Sequence, residues 1–176
     1  GVPVTAHDFV YSLRRVADPR TGSADASYFY VIEGGEEINR GKRSPGSLGV
    51  RALDDYTLEV NLSAPTPHFL ALQTQRAFFP VPRHAIERGL TWGRVVSGPF
   101  VLSEHRSYER VVLVRNPAYY ENAAVALDEI VFLPVRHNTL VDLYKSGNID
   151  ATDGGFMSPE LLPALRAKRD FHATPV

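Results

Sequence analysis

The sequence has 176 residues, 44% of them apolar and 22% charged, with 19 basic residues against 20 acidic ones. These proportions describe a globular chain long enough to bury a core, not a disordered one, and the mixed, near-neutral charge argues against a nucleic-acid-binding protein. The absence of cysteine excludes a disulfide scaffold, a cysteine nucleophile and a thiolate metal site.

No apolar run reaches the length of a membrane span and no signal peptide opens the chain. Gly1-Val2-Pro3-Val4 reads as mid-sequence and "DFHATPV" as a strand about to begin, as expected of an internal piece of a longer protein. Thr5 and Asp8 have the spacing of a capping box; Phe9, Leu13 and Val16 then repeat at helical spacing, and Asp18-Pro19 stops the helix. After the turn-rich "RTGSADAS", residues 27–40 are expected to form a second helix, weakened by Gly34-Gly35 and ended by Gly41.

"GVRALDDYTLEVNL", residues 49–62, reads as a hairpin turning at Asp54-Asp55. Tyr56, Leu58, Val60 and Leu62 alternate with polar residues, as on a strand with one buried face. Pro65 and Pro67 introduce a short helix with Phe69, Leu70 and Leu72, and the two prolines of "FFPVPRH" mark an extended crossover. Two subdomains are expected to meet there, near Pro82.

A short helix ends at Gly89, and residues 99–115 read as a second hairpin. "DEIVFLPV" has the near-continuous apolar run of a strand covered on both faces. A helix over about 139–146, stopped by Gly147, leads to "NIDAT", so strands 129–135 and 149–152 are expected to be parallel with a right-handed crossover. Ser158-Pro159-Glu160 starts another helix. Asp153, Gly154 and Gly155 thus fall between the end of a strand and a helix N-terminus, where open α/β sheets hold ligands. A plain glycine turn explains the same residues.

The search for chemistry is negative. The six histidines are scattered without metal-ligand spacing, Ser97-Gly98 lacks the first glycine of G-x-S-x-G, and there is no phosphate-binding glycine loop. Tyr28-Phe29-Tyr30 and Tyr119-Tyr120 are groups that stack on ligands or fill a core.

In chain order, "TAHDFVYSLRRVADPRTGS", "LGVRALDDYTLEVNLSAPTPHFL", "FFPVPRHAIE", "SGPFVL", "VVLVRNPAYY" and "LYKSGNIDAT" resemble the extracellular solute-binding proteins of family 5, the oligopeptide- and dipeptide-binding receptors of ABC importers. Each motif is weak alone; six in family order are specific. The resemblance implies an α/β periplasmic-binding-protein type II (Venus-flytrap) fold with mixed sheets and two subdomains in this chain. Residues 1–82 would belong to the small family-specific lobe and 83–176 to a main α/β lobe, with the remaining lobes outside the chain.

The same resemblance implies a peptide ligand, an ABC permease as partner, no cofactor, no metal and no catalytic residue. It places the protein in the periplasm or at the extracellular face, touching the membrane only through a lipid anchor or the permease, with no nucleic-acid partner. Two alternatives stay open: a receptor for nickel or another small ligand, and the ligand-sensing domain of a transcriptional regulator. In the oligopeptide receptors a tyrosine after the "DP-TGS" motif lines the peptide site; here Asp25 stands there, an acidic group able to meet a ligand's positive charge. The family's ligand-facing loop corresponds to Asp153, Gly154, Gly155 and Phe156, with Gly154 where an asparagine is usual. A glycine offers main-chain hydrogen bonds alone, which suits an extended peptide.

Overall fold

The computed structural model describes residues 2–89, 95–136 and 139–152, with residues 160, 163 and 166. They fall into two compact units: residues 1–101 with 115–126, and residues 102–114 with 127–176.

The first unit is built on helix α1 (Ala6–Ala17). Its start follows the sequence signal: the Thr5 N–H donates to Asp8 Oδ2 at 2.9 Å, so a carboxylate closes the positive end of the helix. Leu13 and Ala17 are buried, and Val10 and Val16 pack against the same cluster. The helix ends at Asp18, whose Oδ1 accepts the Arg20 backbone N–H at 2.9 Å, while Pro19 has no N–H to continue the ladder.

Residues 27–40 are not the single helix expected. Ala26–Val31 form a 3-10 helix, Ile32 then bridges Leu62 in antiparallel fashion, and α2 (Gly35–Asn39) starts afresh. The two glycines set this break. Gly34 has φ +78°, and a Cβ on Gly35 would stand 2.0 Å from the Phe29 carbonyl oxygen. Close approach at Gly35 lets Phe29, Ile32 and Ile38 all become fully buried. Phe29 stacks on Phe78 with ring centroids 4.6 Å apart, and Phe69 meets Phe78 edge-on at 6.3 Å.

The first hairpin pairs β1 (Val50–Ala52) with β2 (Leu58–Val60), in the register Val50↔Val60, Arg51↔Glu59 and Ala52↔Leu58. Asp54 Oδ1 accepts the Tyr56 N–H at 2.7 Å and shapes the turn. That turn takes Tyr56 off the strand, so it is 80% exposed rather than on the buried face with Leu58, Val60 and Leu62. Short helices α3 (Phe69–Leu72) and α4 (Arg83–Glu87) flank the non-helical stretch 79–82. The Val81 N–H donates to Ser12 Oγ at 2.7 Å, which ties that stretch to α1. Pro82 therefore lies inside the first compact unit, and the division between the units falls elsewhere.

The three-stranded sheet has the order β3 (Phe100–Arg106), β4 (Arg110–Arg115), β5 (Glu129–Phe132). Three residues join β3 to β4, too few for a parallel crossover, so the pair is an antiparallel hairpin as expected. β5 runs antiparallel to β4, with Val111↔Phe132 and Leu113↔Ile130 in register. At the hairpin tip Tyr108 has φ +63°, a left-handed conformation that costs an L-residue about 1 kcal/mol. Helix α5 (Leu140–Lys145) is followed by Gly147 at φ +73°, the stop read from sequence.

Two expectations are corrected here. Residues 149–152 form no strand, so no parallel β-α-β unit and no mixed sheet exists among the described residues. A strand needs a neighbour to take its N–H and C=O groups, and no described strand pairs with residues 149–152. Val131, Phe132 and Leu133 are 45%, 55% and 45% exposed, so the apolar run of β5 is not covered on both faces among the described residues.

The surface carboxylates of the first unit predict a pH response. Hydrogen bonds from Arg20 hold Asp18 below its ordinary value, the Tyr56 N–H does so for Asp54, and Arg51 for Glu59. A lowered folded value means stability that is present above the ordinary carboxylate range and lost as pH falls through the lowered values. Melting temperature is expected to be flat from neutral pH to about pH 5 and to fall below about pH 4. Because these pairs are exposed, the acid-side fall in Glu59→Gln should be only slightly shallower, and the difference should vanish in 1 M salt.

Candidate ligand-binding site

Asp25, the one candidate site residue within the described structure, precedes the 3-10 helix 26–31 and is half-buried. Its carbonyl accepts the Tyr28 N–H at 3.1 Å and its own N–H donates to Ser23 Oγ at 3.3 Å, so backbone bonds on both sides fix the residue. No basic side chain pairs with its carboxylate among the described residues. Asp153, Gly154, Gly155 and Phe156 lie outside the described residues. The described stretch before them ends at Thr152, whose Oγ1 is buried without a hydrogen-bond partner.

The aromatic groups divide between core and surface. Phe29 is committed to the core, and the Tyr30 hydroxyl donates to Asn39 Oδ1 at 2.9 Å, while Tyr28 is 39% exposed. Tyr119 and Tyr120 pack with centroids 4.6 Å apart. A hydrogen bond with Tyr120, reinforced by desolvation and by the charge of Glu121, pushes the Tyr119 phenol up to about 12. It stays a neutral donor at physiological pH, and its hydroxyl donates to Glu121 Oε2 at 3.3 Å.

Sequence reading missed an open groove of about 550 Å³ along α1, lined by His7, Tyr11, Arg14, Arg15, Pro45 and Arg83 among others. Spacings of three and four place His7, Tyr11, Arg14, Arg15 and Asp18 on one helical stripe, which was visible in the sequence. Pro45, from the 3-10 helix Pro45–Ser47, and Arg83, from α4, are distant in sequence and were not. The guanidinium of Arg83 lies 5.9 Å from the Tyr11 ring centroid and also pairs with Glu87 at 2.7 Å. Arg14 Nη2 donates to the Val50 carbonyl at 3.2 Å. Asp18 is held by Arg20 and Asp8 by the Thr5 N–H, so both acidic side chains of the groove have partners. The buried Ser12 hydroxyl donates to the Asp8 carbonyl at 2.7 Å and accepts from the Val81 N–H.

Comparison with known proteins places this architecture. The model of the bacterial extracellular solute-binding proteins, family 5 (Middle), matches residues 1–173. The chain is 44% identical over 160 residues to the periplasmic oligopeptide-binding protein OppA of Salmonella typhimurium, covering 86% of this chain and 30% of that one. It therefore spans about a third of the length of such curated relatives. The solved structure of Haemophilus influenzae OppA in complex with RPPGFSPFR superposes on 94% of this chain and 34% of its own, with TM-score 0.81 and 33% identity. The Escherichia coli murein tripeptide binding protein MppA superposes on 93% of this chain and 33% of its own, again with TM-score 0.81, at 34% identity. This chain, with its capped first helix and its two hairpins, belongs to the bacterial extracellular solute-binding proteins of family 5.

Proposed function

We propose that the chain is part of the substrate-binding receptor of a peptide ABC importer. The receptor captures oligopeptides or dipeptides outside the cytoplasm, in the periplasm or at the outer face of the membrane, and delivers them to the permease. It performs no reaction and needs no cofactor. The observation that carries this reading is the family match over residues 1–173, together with relatives named for oligopeptide binding. Within the receptor, the chain contributes part of the small lobe and part of a main α/β lobe of a Venus-flytrap fold.

The residue roles follow from chemistry. The carboxylate of Asp25, carried on a backbone held by hydrogen bonds and without a paired cation among the described residues, meets the ammonium group or a basic side chain of the peptide. Asp153, Gly154, Gly155 and Phe156 meet its main chain, with Gly154 offering backbone groups and no side-chain obstacle.

Gly154→Leu, made in the receptor expressed from its complete reading frame, tests this site. Peptide affinity by isothermal titration is expected to fall at least about tenfold while the melting temperature stays put. Lower stability with unchanged affinity would make Gly154 a turn glycine and remove the loop from the site. A receptor that binds no peptide at all would overturn the functional reading itself.

A further inference from the structure

We propose that Asp25 and Tyr28 together form a subsite for an arginine side chain, which makes arginine-bearing peptides the preferred substrate class. This rests on the ligand role given to Asp25 above and deepens it, with Tyr28 as a second specificity residue. The 3-10 helix Ala26–Val31 sets the pair. With three residues per turn, side chains three apart stand one above the other. The register shows in the burial: Ala26, Phe29 and the C-cap Ile32 are 4%, 0% and 0% exposed and form the stripe turned to the core. Asp25, Tyr28 and Val31 make the neighbouring stripe. Val31 packs against the core at its far end, which leaves the carboxylate and the phenol ring adjacent on that stripe. The bond from the Tyr28 N–H to the Asp25 carbonyl, at 3.1 Å, closes the turn that joins them.

The chemistry of the pair selects the ligand group. Of three consecutive aromatics, Phe29 is committed to the core and Tyr30 to Asn39, whereas the register sets Tyr28 beside Asp25. A carboxylate next to an aromatic ring attracts a cation in two ways, by charge-assisted hydrogen bonds and by the ring's quadrupole. Arg20, the basic residue nearest to Asp25 in sequence, is held by Asp18 at 2.6 Å, and no basic side chain pairs with Asp25 among the described residues. A planar guanidinium fits both groups at once, since it lies on a ring while its N–H fork meets the carboxylate. A peptide's terminal ammonium is a compact charge that makes little use of the ring. Every peptide carries one, so it would not select among them.

The test uses the receptor from its complete reading frame and a random library of short peptides. Peptides retained by the wild type, read by mass spectrometry, should be enriched in arginine. By isothermal titration a retained arginine peptide should bind about tenfold more tightly than the same peptide with citrulline, which keeps the shape and drops the charge. Asp25→Asn should erase that difference. Tyr28→Leu should reduce it about threefold, and Tyr28→Phe should preserve it because the ring remains. The wild-type comparison decides whether or not a variant folds: retention without arginine enrichment, or equal binding of the arginine and citrulline peptides, would overturn this inference and leave the proposed function standing. An Asp25 dependence that disappears when the peptide's N-terminus is acetylated would also overturn it, since the carboxylate would then be reading the terminus. Failure of the wild-type receptor to retain any peptide would instead remove the proposed function, and this subsite with it.

Discussion

Replacing Gly35 by alanine is expected to cost about 3 kcal/mol or more and to lower the melting temperature of the protein by about 10 °C. The obstacle is backbone, not a side chain that can swing away: the new Cβ would sit 2.0 Å from the Phe29 carbonyl oxygen and 2.8 Å from its carbon. Relief requires moving α2 away from the 3-10 helix that carries Phe29. That movement opens the contact among Phe29, Ile32 and Ile38, all fully buried, and loosens the stack of Phe29 on Phe78. Each of these side chains contributes roughly 1.5–3 kcal/mol by being out of water, so even partial exposure is costly. Gly46→Ala is the control. Its nearest neighbour to a new Cβ is Ser44 Oγ at 3.7 Å, an ordinary contact, and its effect should stay within about 0.5 kcal/mol. Equal melting of the two variants would show that α2 shifts freely and that the break at Gly34-Gly35 has another cause.

Gly35 also marks where sequence reading was sufficient and where it stopped. Features set by adjacent residues were legible: the helix start at Thr5 and Asp8, its end at Asp18-Pro19, the Asp54 turn, and the stop at Gly147. Each rests on a bond or a conformation within a few residues. The single helix expected over 27–40 failed because the decisive contact, a carbonyl against a glycine, depends on how two turns pack. Strand 149–152 failed for a related reason, since a place in the chain after a helix and its glycine stop does not supply the neighbouring strand. The groove on α1 was half legible, as a stripe of polar residues facing away from the Leu13 and Ala17 side, while Arg83 and Pro45 reach it only through the fold. Asp25 owed its place to family resemblance, because a half-buried aspartate before a short helix has no signature of its own.

A protein consisting of residues 1–176 alone is expected to bind peptides at least about 10³-fold more weakly than the receptor from its complete reading frame. Relatives about three times as long supply surfaces that this chain does not contain. A flytrap receptor gains affinity by desolvating its ligand between lobes. With one wall present, each main-chain hydrogen bond competes with water and returns about 1 kcal/mol or less. Ordering a flexible peptide costs several kcal/mol, which the contacts proposed at Asp25 and Gly154 would not offset. The exposed apolar run of β5 adds a second consequence. Val131 and Phe132 on the edge strand, with Leu127 and Leu133 flanking it in sequence, are exposed apolar residues of the kind that pair with another copy. Light scattering should therefore show self-association at tens of micromolar, and Val131→Lys should reduce it by placing a charge on the edge strand. Isothermal titration with a mixed peptide library decides the first point: submicromolar binding by a monomeric 176-residue protein would mean that the whole site lies within this chain.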